Sequence, residues 1–194
     1  MPKPAPAAHS RTSTAIRPWL LTAVSALCLV CASCGSKTDF DGGKARAILQ
    51  STAVNLDGEQ VSLTQAQLDC GVQSDLWEAP VQVSQDRTTA RLTAQGRALN
   101  FSDDPAIEAD FHQPIAQVRG AFSLEVNDVS NIRDGDSADV KLVDGKAGVR
   151  LQHACFSNPL PLMGVRKGKF REDAPLTFLF RLKEDGWHYD SLVH

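Results

Sequence analysis

Apolar and polar positions along this chain follow three successive patterns. Residues 19–32 (WLLTAVSALCLVCA) form an apolar run without a charge. A helical spacing follows: Leu63, Ala66, Cys70 and Trp77 share one face, and Leu68, Val72 and Leu76 form an adjoining stripe at i+4. Ser62 with Gln65 reads as a capping box that opens this helix, and Pro80 reads as its end. Residues 44–54 fit a helix through Ile48 and Leu49, or a strand through Ile48, Val54 and Leu56.

After Pro80 the period becomes two. Thr88, Ala90 and Leu92 alternate with polar neighbours. Residues 115–126 read as one strand, with Ala116, Val118, Phe122, Leu124 and Val126 on its apolar face and Gly120 marking a bulge or close crossing. Val140 and Leu142 lead into Asp144-Gly145, and Val149 and Leu151 return, which predicts a hairpin. Leu176, Phe178, Phe180 and Leu182 predict a further strand, turned by Asp185-Gly186 into Trp187 and Tyr189. Asp57-Gly58 and Asp134-Gly135 mark two more turns. The expected fold is α+β: an N-terminal helix packed on an antiparallel β-meander sheet, with one sheet face covered and the other partly wet.

The apolar run at 19–32 is short. A spanning helix needs about 20 residues, and this run offers roughly 14. Ahead of it stand Lys3, Arg11 and Arg17 with no acid, and small residues follow it. That is the layout of a secretory signal peptide. The sequence Ala32-Ser33-Cys34-Gly35 resembles the lipobox of bacterial lipoproteins, with Cys31 where that family usually has Leu. The resemblance implies cleavage after residue 33, lipid on Cys34, and sorting to the outer membrane facing the periplasm, since Gly35 rather than Asp follows the cysteine. The expected organisation is a signal peptide at 1–33, the lipidated cysteine and a flexible tether at 34–43, and one globular domain at 44–194. The last strands and their Asp-Gly turn loosely resemble the close of cone-shaped nuclear-transport-factor-like domains, a short and common pattern. Residues 91–99 (RLTAQGRAL) resemble the last helix of winged-helix regulators, a role that an exported acidic chain fits badly.

The signal segment holds three of the 20 Lys+Arg and none of the 23 Asp+Glu, so the exported body is acidic. Nucleic-acid binding needs a concentrated positive face and is not expected. With Cys28 and Cys31 removed and Cys34 acylated, Cys70 and Cys155 are the remaining thiols, and outside the cytoplasm they pair. The rival is a Cys155 nucleophile with His153 two residues before it, on the same side of a strand. No orienting acid is evident for that role, and no catalytic residue is assigned.

Asp103, Asp104, Glu108, Asp110 and His112, and separately Asp134, Asp136 and Asp139, have metal-ligand chemistry but not the spacing of a calcium loop. His188 and His194 have no partner at zinc spacing. No metal or cofactor is expected. Residues 158–164 (NPLPLMG) are apolar and rigid, and the basic cluster Arg166, Lys167, Lys169 and Arg171 follows. The expected contact surface for a partner is Leu160, Leu162, Met163, Arg166 and Lys167, against an envelope protein or polysaccharide. The functional expectation is a non-enzymatic binding or structural lipoprotein of the envelope. The alternatives are a small-ligand binder with a pocket between helix and curved sheet, or a hydrolase.

Overall fold

The computed structural model describes residues 38–193. The signal segment, Cys34 and His194 lie outside the described residues. The chain opens with α1 (Gly42–Ser51), β1 (Ala53–Asn55), β2 (Gln60–Ser62) and α2 (Gln65–Gln73). β3 (Val81–Ser84), β4 (Arg87–Thr89), α3 (Ala94–Ala98), β5 (Ala106–Glu108) and β6 (Pro114–Gln117) follow. The second half holds β7 (Ala121–Asp134), β8 (Val140–Val149), a short 3-10 turn (Ala154–Phe156), β9 (Leu160–Pro161), β10 (Gly164–Arg166), β11 (Lys169–Arg171), β12 (Leu176–Lys183) and β13 (Gly186–Val193). The fold is α+β and strand-dominated, and every ladder is antiparallel.

The strands form two sheets and a ribbon, not the one meander expected. The larger sheet runs β1-β7-β8-β12-β13, with β9 paired to β8. The smaller runs β2-β6-β5-β4-β3, and β10-β11 stand apart as a two-stranded ribbon. The expected strand at 115–126 is two strands, one in each sheet. Gly120 divides them at φ +96°, a left-handed conformation that glycine adopts without a Cβ clash. The chain thus changes sheets there while its alternation continues, and Ala116, Val118, Phe122, Leu124 and Val126 all point inward.

Asp144-Gly145 is not a turn. β8 runs straight through it, and the β7–β8 reversal lies at Asp134-Gly135, closed by Gly135 N–H on the Val140 carbonyl at 3.0 Å. Gly145 serves a close crossing, since a Cβ there would stand 2.5 Å from the Asp128 carbonyl oxygen. Asp144 accepts from Arg133, Thr177 and Asn131 on the wet face of the sheet, which fixes it in the ladder.

The expected helix also starts later and ends sooner. Val61 and Leu63 are both fully buried at strand parity, so the chain is still extended at Ser62. Thr64 is the N-cap, and Thr64 with Gln67 forms the capping box. The helix ends at Gln73, well before Pro80, with Asp75 at positive φ. Its buried positions are Leu68 and Gly71, whereas Ala66 is exposed. This helix is not laid across the meander: it packs against the 3-10 turn.

The ambiguous segment 44–54 contains both readings in succession, α1 and then β1. Asp41 caps α1 by accepting from Lys44 N–H at 2.8 Å, and Ala45 and Leu49 are buried in the core. Of the segment expected to be flexible at 34–43, residues 38–43 are held by the domain, and the rest lies outside the described residues. Phe40 stacks 5.0 Å from Phe180 and 4.7 Å from Trp187, and the Trp187 indole donates to the Thr38 carbonyl at 3.1 Å.

Phe122, Leu124, Phe178, Phe180 and Trp187 are buried in one core with Val61, Ala116 and Val118 of the smaller sheet. At its other end Trp77, Phe101 and Phe156 meet with ring centroids 5.7–6.2 Å apart. Rings at such spacing in tilted or edge contacts contribute about 0.5–1.5 kcal/mol per pair beyond burial.

Candidate functional site

The two body cysteines are bonded, with Cα atoms 5.6 Å apart. The bond joins the end of α2 to the 3-10 turn. Its neighbours have structural roles. His153 Nδ1 accepts from the Cys155 N–H at 3.2 Å, which caps the turn, and Ser74 Oγ lies 3.4 Å from the Cys155 sulfur.

The proposed apolar contact at 159–164 is overturned. Leu160 is 0 %, Leu162 4 % and Met163 1 % exposed, so none can meet a partner. Two prolines suggested an irregular loop, yet Leu160 and Pro161 pair with Val149 and Gly148 of β8. An edge position tolerates Pro because no ladder bond is asked of its missing N–H. Leu162 bridges Val61, and Met163 N–H donates to the Gln60 carbonyl at 2.9 Å. The segment fastens the two sheets together.

Arg166 and Lys167 are exposed, and the ribbon carries them. Val165 pairs with Phe170 and Arg166 with Lys169, around a tight turn at Lys167-Gly168 with φ +53° and +70°. Two successive left-handed residues match the twist of a two-residue hairpin. Phe170 packs inward on a small cluster of Ala106, Ile115, Met163 and Phe111. The ribbon is thus seated on the outer face of the smaller sheet and presents its charges to solvent.

Those charges are only partly neutralised. Arg166 pairs with Asp173 at 3.3 Å and Lys169 with Asp110 at 2.7 Å. The Lys169 hydrogen bond and charge hold the Asp110 carboxyl below its ordinary value. Arg171 donates to the Asp110 carbonyl oxygen at 3.2 Å. Lys146, Lys167 and Arg171 form no ion pair among the described residues. Two open clefts flank Arg171. One, of about 370 Å³, is lined by Phe111, Gln113, Lys146, Met163, Arg171, Glu172 and Asp173. The other, of about 340 Å³, is lined by Arg166, Lys167, Lys169, Arg171 and Asp173. Glu172 is held in place by donations from Ser62 Oγ at 3.3 Å and from the Gln113 amide.

Lys146, Phe111, Gln113 and Glu172 are site residues that sequence reasoning missed. They reach this surface from β8, from the loop between β5 and β6, and from the segment after β11, with no local motif to join them. The acidic stretches take structural roles instead. Asp104 accepts from the Leu92 N–H at 2.6 Å, and Asp139 sits in the β7–β8 turn with Ser137. His188 pairs with Asp185 at 2.8 Å. Among the described residues no group of three metal-ligating side chains converges, and no helix is long and apolar enough to cross a membrane.

No protein-family model, no curated protein and no solved structure matches this chain.

Proposed function

We propose that this chain is a non-enzymatic binding module of the bacterial envelope, held by lipid on Cys34 at the outer membrane and facing the periplasm. Its contact surface is the β10–β11 hairpin, with Arg166, Lys167 and Arg171 meeting an envelope polysaccharide or protein. One observation carries this reading: Lys167 and Arg171, with no ion pair among the described residues, stand beside Arg166 on a ribbon whose root is buried at Leu160, Leu162 and Met163. Exposed cations steer association with an acidic partner, and their effect fades with salt. The Cys70–Cys155 bond fits an oxidising compartment. Ala45 and Leu49 of α1 pack against the core, and the cleft of about 540 Å³ beside that helix, lined by Arg46, Gln50, Glu125, Asn127 and Arg150 among others, is open and largely polar, so the hairpin is the preferred contact surface.

Two measurements test it. Cys34→Ala should move the protein from the membrane to the soluble fraction; retention in the membrane would remove the anchor from the reading. Arg166→Glu with Lys167→Glu should leave thermal unfolding unchanged and abolish crosslinking to envelope components in intact cells. Unchanged crosslinking would remove the hairpin from it.

A further inference from the structure

We infer that the two clefts flanking Arg171 form one binding site for an acidic saccharide, which names the ligand class and rests on the hairpin reading above. The argument is the mixture of groups in the lining. A flat anionic bilayer favours an unbroken positive face. Here Asp110, Glu172 and Asp173 interrupt the cations, and an extended headgroup layer would meet them as well. A sugar acid asks for such a mixture. Its carboxylate or phosphate needs a cation, its hydroxyls need acceptors and donors, and the apolar face of its ring needs an aromatic wall.

The larger cleft supplies each. Lys146 and Arg171 offer positive charge with no ion pair among the described residues, and Arg171 can present a planar fork that takes a carboxylate through two parallel N–H groups. Glu172 and Asp173 accept from hydroxyls, and Gln113 offers an amide. Phe111, half-buried on the cluster below, forms part of the wall. Glu172 is already fixed by Ser62 and Gln113, so little side-chain freedom is lost on binding. Arg171 lines the second cleft too, beside Lys167. A chain of several sugar acids can therefore cross from one cleft to the other over a shared cation. A volume of about 370 Å³ lies at the small end of the range for ligand sites, enough for one or two sugar rings.

The probes are an oligomer of galacturonic acid, neutral galactan of the same length, and vesicles of phosphatidylglycerol. The chain is taken as isolated from the envelope in mild detergent, and binding is measured by calorimetry at low and at 0.5 M salt. The galacturonate oligomer should bind and neutral galactan should not. Arg171→Ala should weaken binding at least tenfold, Lys146→Ala severalfold, and Lys183→Ala, at the far end of β12, not at all. Part of the affinity should survive high salt. Equal binding of neutral galactan, binding to the vesicles alone, or indifference to Arg171→Ala overturns the inference. If the galacturonate oligomer fails while the Arg166→Glu/Lys167→Glu change still abolishes crosslinking in cells, the saccharide falls and the hairpin stands. If that change has no effect either, both fall.

Discussion

Gly71 shows how packing reverses a local preference. Read as a helix residue, it weakens α2 by up to about 1 kcal/mol relative to Ala. In the fold its missing Cβ is occupied, because a Cβ there would lie 2.1 Å from Trp77 Cζ2. The Trp77 ring fills that place and its indole donates to the Leu68 carbonyl at 2.7 Å. Gly71→Ala is therefore expected to destabilise by about 1–3 kcal/mol through overpacking, not to stabilise. Urea unfolding followed by tryptophan fluorescence checks it. Phe178 and Phe180 are fully buried, and truncating either to Ala should cost about 3–5 kcal/mol in the same measurement. Asp144 makes a prediction in pH. Burial pushes its carboxyl up, but donations from Arg133, Thr177 and Asn131 outweigh that and hold it below 3.8. A lowered native value means the stabilisation is complete above the unfolded value and is lost as pH falls through the native one. The stability advantage of the native chain over Asp144→Asn should be constant from pH 7 to about pH 5 and shrink below about pH 4. An advantage that grows on acidification would contradict the hydrogen-bond assignment.

At the scale of elements, alternation was legible, and so were the turns at Asp57-Gly58, Asp134-Gly135 and Asp185-Gly186, but not the run of β8 through Asp144-Gly145. The inward rows of 115–126 and 176–182 follow from period-two burial, and both sheets depend on them. Asp-Gly is a reliable turn pair only where the chain has no stronger use for those residues. At 144–145 the side chain gathers three donors and the glycine admits a neighbouring carbonyl, so the strand continues. At 185–186 the Asp185 side chain pairs with His188 inside the same hairpin, which leaves the turn in place, and Gly186 takes φ +131° at the start of β13. Likewise, prolines at 159 and 161 suggested irregularity, but an edge strand accepts them and the apolar residues between go inward. Of the contact surface, Arg166 and Lys167 could be read from charge and turn pattern. Lys146, Gln113 and Phe111 could not, because long-range pairing brings them together. The disulfide joins the end of a helix to a 3-10 turn far along the chain, so its effect should be large. Closing a loop of 85 residues corresponds to about 4.5 kcal/mol in the chain-entropy account. Cys70→Ser with Cys155→Ser should lower stability by several kcal/mol and leave hairpin-dependent binding intact at low temperature. Loss of binding in a still-folded variant would give the bond a part in the site.

For the molecule as a whole, two sheets share one core, and the segment from Leu160 to Met163 fastens them beneath the basic ribbon. The ends of the sheets are guarded unequally. β3 is an edge strand with Val81 and Val83 more than half exposed, yet it is short and bulged, both of which discourage edge-to-edge pairing. The N-terminal end is held more firmly, by Phe40 between Phe180 and Trp187. Phe40→Ala should leave the sheets intact and red-shift Trp187 emission, and an unshifted spectrum would show that the contact is dispensable. The docking of Thr38 on Trp187 then sets a mechanical scale for the proposed anchor. Four residue steps separate position 34 from position 38, and extended chain spans at most about 3.6 Å per step. An acyl group on Cys34 would leave a leash of at most about 14 Å. If Cys34 is acylated as proposed, such a protein would be a post planted on its bilayer, not a float on a line. Its catch would then be limited to polymers that come close to the lipid.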